Sequence, residues 1–113
     1  MRNINSLKNV SQFEEVYKEG KSLANKYLVL YVLPKEGDFR LGISVSRKVG
    51  SSAVRNRVTR LIRESYLTLK KQIPDGYHVV VVARPAAQGK SFEKIRNAFS
   101  QLLQMQGLIP NGQ

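Results

Sequence analysis

Tyr77 to Ala83 reads YHVVVVA, with four consecutive valines from Val79 to Val82. β-Branched side chains suit a pleated strand better than a helix, and successive strand residues point to opposite faces. Four valines in a row therefore place apolar groups on both faces, which only a strand covered on both sides can bury. The segment predicts the central strand of a sheet. Pro74-Asp75-Gly76 is the turn that enters it and Arg84-Pro85 closes it. His78, the single histidine, has no cysteine or second histidine to join it, so it reads as a structural strand residue.

The remaining elements follow from periodicity. Lys26 to Leu33 (KYLVLYVL) predicts a strand, Pro34 to Asp38 a hairpin connection, and Phe39 to Ser46 the return strand. Alternation places Leu28, Leu30, Val32, Leu41, Ile43 and Val45 toward a core. Tyr27, Val29, Tyr31, Arg40, Gly42, Ser44 and Ser46 fall on the other face. That face suits unstacked nucleic-acid bases, which stack on aromatic rings; an ordinary solvated sheet face has the same pattern. Ser11 with Glu14 predicts a capping box opening a helix that Gly20 ends, with Val10, Phe13, Val16 and Tyr17 on one side. Phe13 and Tyr17 read equally well as core aromatics. Ser91 predicts the cap of a last helix buried through Phe92, Ile95, Ala98, Phe99, Leu102 and Leu103, ending near Gly107 and Pro110. A short extra strand at Lys21 to Ala24 is the weakest element. The result is a two-layer α+β sandwich in the order helix, strand, strand, helix, strand, helix. At 113 residues it forms one domain over 1–113, with residues 1–8 and 107–113 expected to be loose ends.

The second helix carries the charge. From Ser46 to Arg63, Arg47, Lys48, Arg55, Arg57, Arg60 and Arg63 are cationic, and no carboxylate stands between Asp38 and Glu64. On a helix opened by Gly50-Ser51-Ser52, residues Val54, Val58, Leu61, Ile62, Ser65, Tyr66 and Leu69 gather on one side. Asn56, Arg57, Arg60, Arg63 and Lys71 gather opposite, and Arg55 lies on the border. Cations near a helix N-terminus oppose the helix dipole, by roughly 0.3–1 kcal/mol each. A stripe that works against its own helix points to an anionic partner. With 19 basic residues against 8 acidic, a net charge of +11, that partner is nucleic acid or, less well supported, an anionic membrane surface. No cysteine is present, which excludes disulfides and thiolate metal sites. No apolar run reaches membrane-spanning length and no signal-peptide pattern opens the chain, so a cytoplasmic protein is expected.

The run SVSRKVGSSAVRNRVTRLIRESY closely resembles the signature of the bacterial ribonuclease P protein subunit, whose RNR core is here Arg55-Asn56-Arg57. The resemblance covers Leu7 to about Leu103. It implies an unusual left-handed βαβ crossover, where generic physics would give a right-handed one. It also implies a cofactor role for a catalytic RNA that removes the 5′ leader of precursor tRNA. Arg47, Lys48, Arg55, Asn56, Arg57, Arg60 and Arg63 would dock on the RNA subunit. A cleft with Phe13, Tyr17 and Tyr31, beside Ser44 and Ser46, would hold the single-stranded leader. The partners implied are the catalytic RNA and precursor tRNA, with no membrane and no small-molecule substrate. No cofactor would bind the protein alone, and Mg²⁺ would enter through the RNA. Two departures stand out: Arg2 to Lys8 is less basic than the family's N-terminal segment, and Tyr17 stands where phenylalanine is frequent.

Two rival readings differ in class. A self-sufficient nuclease would need clustered carboxylates for metal-dependent phosphoryl transfer, or paired acids and bases without metal. The eight carboxylates Glu14, Glu15, Glu19, Glu36, Asp38, Glu64, Asp75 and Glu93 are scattered through the sequence, and one histidine is too few. A ribosomal or other structural RNA-binding protein is the alternative that composition alone favours.

Overall fold

The computed structural model describes residues 6–110. Its elements are α1 (Val10–Glu19), β1 (Lys21–Ala24), β2 (Leu28–Pro34), β3 (Arg40–Ser44), α2 (Ser52–Leu69), β4 (Tyr77–Ala83) and α3 (Phe92–Met105). The strands form one sheet in the order β1-β2-β4-β3, so the valine-rich β4 is interior, as its sequence predicts. It runs antiparallel to β2 and parallel to β3. The weakly signalled Lys21–Ala24 strand is present and forms the hairpin with β2.

One pairing differs from the sequence reading. β2 and β3 do not form a hairpin, because β4 lies between them. The Pro34–Asp38 connection bridges over β4 instead of folding back beside β2. Gly76 holds it there: Lys35 N donates to Gly76 O at 2.9 Å, and Gly76 N donates to Gly37 O at 2.9 Å. Asp75 Oδ1 accepts from Phe39 N at 3.1 Å, tying the β4 entrance to the start of β3. β3 and β4 are thus parallel strands joined through α2.

The main core lies between the sheet and the helices α2 and α3. It contains Leu28, Leu30, Val32, Leu41, Val79 and Val81 from the strands, Val58, Leu61, Ile62, Tyr66 and Leu69 from α2, and Ile95, Phe99, Leu102 and Leu103 from α3. These two layers make the sandwich. α1 lies across the opposite face, where fully buried Val16 meets Val80. That small second cluster accounts for the valines on the other side of β4.

Helix ends are made by local chemistry. α1 is capped by Asn9 rather than Ser11: the Asn9 side chain accepts from Gln12 N and the Gln12 side chain accepts from Asn9 N, a complete capping box. Asparagine caps as well as serine does, and starting earlier places Ser11 inside the first turn, where its hydroxyl donates to Asn9 Oδ1. The earlier start also leaves Val10 exposed rather than on the packed side. Ser51 caps α2 and Ser91 caps α3. α3 ends with Gly107 at φ 79°, where Leu108 N donates to Leu103 O at 2.9 Å and Gly107 N to Gln104 O at 3.0 Å. This is a Schellman closure, with Leu108 packed against the core beside Leu103.

Part of each expected loose end packs against the fold. Leu7 is buried and its N–H donates to Leu41 O at 3.1 Å, while Leu108 and Ile109 are buried in the main core. Apolar side chains in otherwise polar tails supply that anchoring. The remainder of the expected loose ends, residues 1–5 (including Arg2) and 111–113, lies outside the described residues.

Candidate nucleic-acid interface

Strand register sorts the sheet face beneath α1 into rows. Leu33, His78 and Arg40 form one row, Tyr31, Val80 and Gly42 the next, and Val29, Val82 and Ser44 a third. α1, with Leu7, packs around Val80. Phe13 sits so close to β3 that a Cβ on Gly42 would come within 2.7 Å of its ring. The third row stays half-exposed, leaving an apolar strip ending in a hydroxyl along the open edge of α1.

Three rings line that edge. Tyr17 meets Tyr31 edge-to-face with centroids 4.9 Å apart, and Phe13 lies 6.5 Å from Tyr17. Tyr31 is half-buried and Tyr17 exposed, so the rings can accept further stacking partners. At the Phe13 end a groove of about 190 Å³ opens, lined by Leu7, Gly42, Thr59 and Arg63 among others. Arg63, grouped by sequence with the outward stripe, therefore stands where the aromatic row meets α2. Thr59, which the sequence reading did not single out, lies four residues before Arg63 and lines the same groove. Val82 was also missed, because four adjacent valines suggest equal cover on both faces.

Ser46 does not continue the strand. It is exposed, and its hydroxyl accepts from Lys48 N at 3.3 Å, capping the turn Arg47–Val49 that presents Arg47 and Lys48. Tyr27 also leaves the expected face. Asn25 Oδ1 accepts from Tyr27 N at 3.2 Å and Leu28 N at 3.0 Å, so these residues form the β1–β2 turn, and Tyr27 packs against the main core. Alternation cannot be extended through a turn.

The face of α2 opposite its core carries exposed Asn56, Arg57 and Arg60, with Arg55 and Arg63 half-buried. Arg55 Nε donates to Gly50 O at 3.2 Å, the reach expected of a border residue. Among the described residues, none of Arg47, Lys48, Arg55, Arg57, Arg60 or Arg63 has a carboxylate within 4.0 Å. Lys35 and Glu15 form an ion pair at 2.6 Å between the end of β2 and α1. The stripe's charge is thus uncompensated by acidic side chains.

His78 is buried, with Nδ1 lacking a hydrogen-bond partner among the described residues. Burial holds its pKa below the ordinary imidazole value, Lys35 and Arg40 lower it further, and Glu15 opposes them weakly. It is a strand residue of β4, as its isolation in the sequence predicts.

Residues 1–107 match the family model described as Ribonuclease P. The chain is 49% identical over 109 residues to the ribonuclease P protein component of Lachnoclostridium phytofermentans, covering 96% of this chain and 94% of that protein. It is 48% identical to the corresponding component of Clostridioides difficile, covering 86% and 87%. In structure it is similar to the RNase P protein of Staphylococcus aureus, with a TM-score of 0.86 at 32% identity over 95% of this chain and 99% of that one. The RNase P protein of Thermotoga maritima gives a TM-score of 0.81 at 34% identity, covering 88% and 96%.

Proposed function

The chain belongs to the ribonuclease P protein family, and from that premise we propose that its two surfaces meet two different stretches of RNA. It is a protein component of a tRNA-processing ribonucleoprotein, which sets aside the structural RNA-binding alternative. The α2 stripe, with Arg47 and Lys48 beside it, docks on the catalytic RNA subunit. The row Phe13–Tyr17–Tyr31 and the strip Val29–Val82–Ser44 hold the single-stranded 5′ leader of precursor tRNA, with Ser46 at its margin. The observation that carries this reading is a rigid helix whose cations have no carboxylate partners among the described residues.

The chemistry divides accordingly. Guanidinium forks make charge-assisted, often bidentate contacts with phosphates and neutralise the repulsion between two RNAs. Asn56 can both donate and accept, which fixes register. Each stacked leader base contributes about 1–3 kcal/mol and tolerates any sequence, which suits leaders that vary. Arg63 at the junction reaches a leader phosphate or the RNA subunit and couples the two surfaces.

No three His, Asp or Glu side chains gather among the described residues. We assign Mg²⁺ to the RNA, together with bond cleavage. The holoenzyme works in the cytoplasm, where its substrates are made.

Tyr31→Ala tests the leader assignment. Affinity of the holoenzyme for leader-bearing tRNA should fall by about 5- to 160-fold, the equivalent of one stacked base, while affinity for mature tRNA holds. Equal losses for both substrates would remove the leader from this cleft.

A further inference from the structure

Tyr27 has moved away from the aromatic row, and it has not moved into isolation. Asn25 pins the β1–β2 turn to α3 by donating from Nδ2 to Ala98 O at 2.9 Å and to Gln101 Oε1 at 2.8 Å. Around this turn gather four cations. Lys26 Nζ lies 5.8 Å and Lys90 Nζ 6.0 Å from the Tyr27 ring centroid. Arg84 Nη1 donates to Asn25 O at 2.8 Å. Lys94 lines a groove of about 380 Å³ with Lys26, Tyr27, Asn97 and Gln101.

Like charges gathered around one turn repel one another, and the negative face of a tyrosine ring offsets only part of that. Among the described residues no carboxylate pairs with any of the four, Glu93 beside Lys94 included. The groove offers ammonium groups, amides and one ring, which is the chemistry for phosphate with a sugar or base edge. The patch is also continuous with α2: Arg57 Nη1 donates to Lys90 O at 3.1 Å, so the stripe's N-terminal end runs into the Lys90 loop.

We propose that Lys26, Arg84, Lys90 and Lys94, assembled around Tyr27, form a third RNA contact that extends the α2 docking surface onto the backbone of the catalytic RNA subunit. This rests on the reading that α2 docks on that RNA. The leader is not the occupant, because its strip lies under α1 on the opposite face of the sheet, whereas Tyr27 packs on the α3 side.

The test is a K26Q/K90Q/K94Q variant; Lys26 and Lys94 are exposed, Lys90 is half-buried, and none belongs to the core. Its affinity for the RNA subunit should fall about tenfold at near 0.1 M monovalent salt, with a log–log salt slope shallower by about 2. The preference for leader-bearing over mature tRNA should not change. Unaltered affinity and slope, while Arg60→Ala weakens binding in the same assay, would overturn this contact alone. If Arg60→Ala is silent too, the α2 reading falls and takes this contact with it. A loss confined to tRNA binding would assign the patch to substrate and also overturn the proposal.

Discussion

Gly42 shows how one missing atom shapes the cleft. The Phe13 ring occupies the space a Cβ would need, at 2.7 Å, and Leu7 Cδ1 stands at 3.0 Å. Gly42→Ala must push the ring outward. We expect a stability loss of about 1–3 kcal/mol from overpacking, read as a lower denaturation midpoint, and weaker leader binding with unchanged affinity for the RNA subunit. His78 makes a different prediction. Its folded pKa lies below the unfolded value of about 6.5, so the unfolded chain binds more protons between the two. Stability is therefore complete above about pH 6.5 and declines as pH falls toward the folded pKa. Comparing urea midpoints across pH 7 to 5 checks this, and His78→Gln should flatten that decline. At this scale Tyr31 was legible from strand alternation and Tyr27 was not. The difference is Asn25, whose side chain takes the Tyr27 and Leu28 amides and makes a turn where the apolar run reads as strand.

Among the elements, α2 was legible almost in full. Its buried positions Val58, Leu61, Ile62, Ser65, Tyr66 and Leu69 are those its period assigns, and its Ser51 cap is local chemistry. The outward face follows from the same period. Arg57→Ala and Arg60→Ala should each weaken binding to the RNA subunit and shallow the salt slope by about 0.7–0.9; titrations at several salt concentrations measure both. α1 depends more on its cap, since it is short and has no acidic residue in its first turn. Asn9→Ala should cost about 1 kcal/mol and, by loosening Phe13 and Tyr17, reduce leader affinity; thermal denaturation and leader binding report the two effects. Strand pairing was the illegible part. A proline- and glycine-bearing link between two strands looks like a hairpin because turn chemistry is local. The valines of Val79 to Val82 ask for an interior strand, and the structure meets this by inserting β4 between β2 and β3; nothing local encodes that choice.

The whole molecule carries a net charge of +11, with its α2 cations unpaired by carboxylates among the described residues. Such a chain is stabilised by any anion that binds the folded state better than the unfolded one. Pyrophosphate titrated at constant ionic strength should raise the denaturation midpoint progressively; an unmoved midpoint would contradict a folded-state anion surface. On the proposed reading, the same imbalance lets the protein mediate between two RNAs. Charge sits on one rod and stacking rings on another face, with Arg63 and Thr59 at the seam. The most direct measurement is reconstituted cleavage of precursor tRNA at low Mg²⁺, using the catalytic RNA, this protein, or both. Cleavage should require the RNA and be strongly enhanced by the protein, which alone cuts nothing. Leader removal by the protein without RNA, or no enhancement on adding it, would contradict the account.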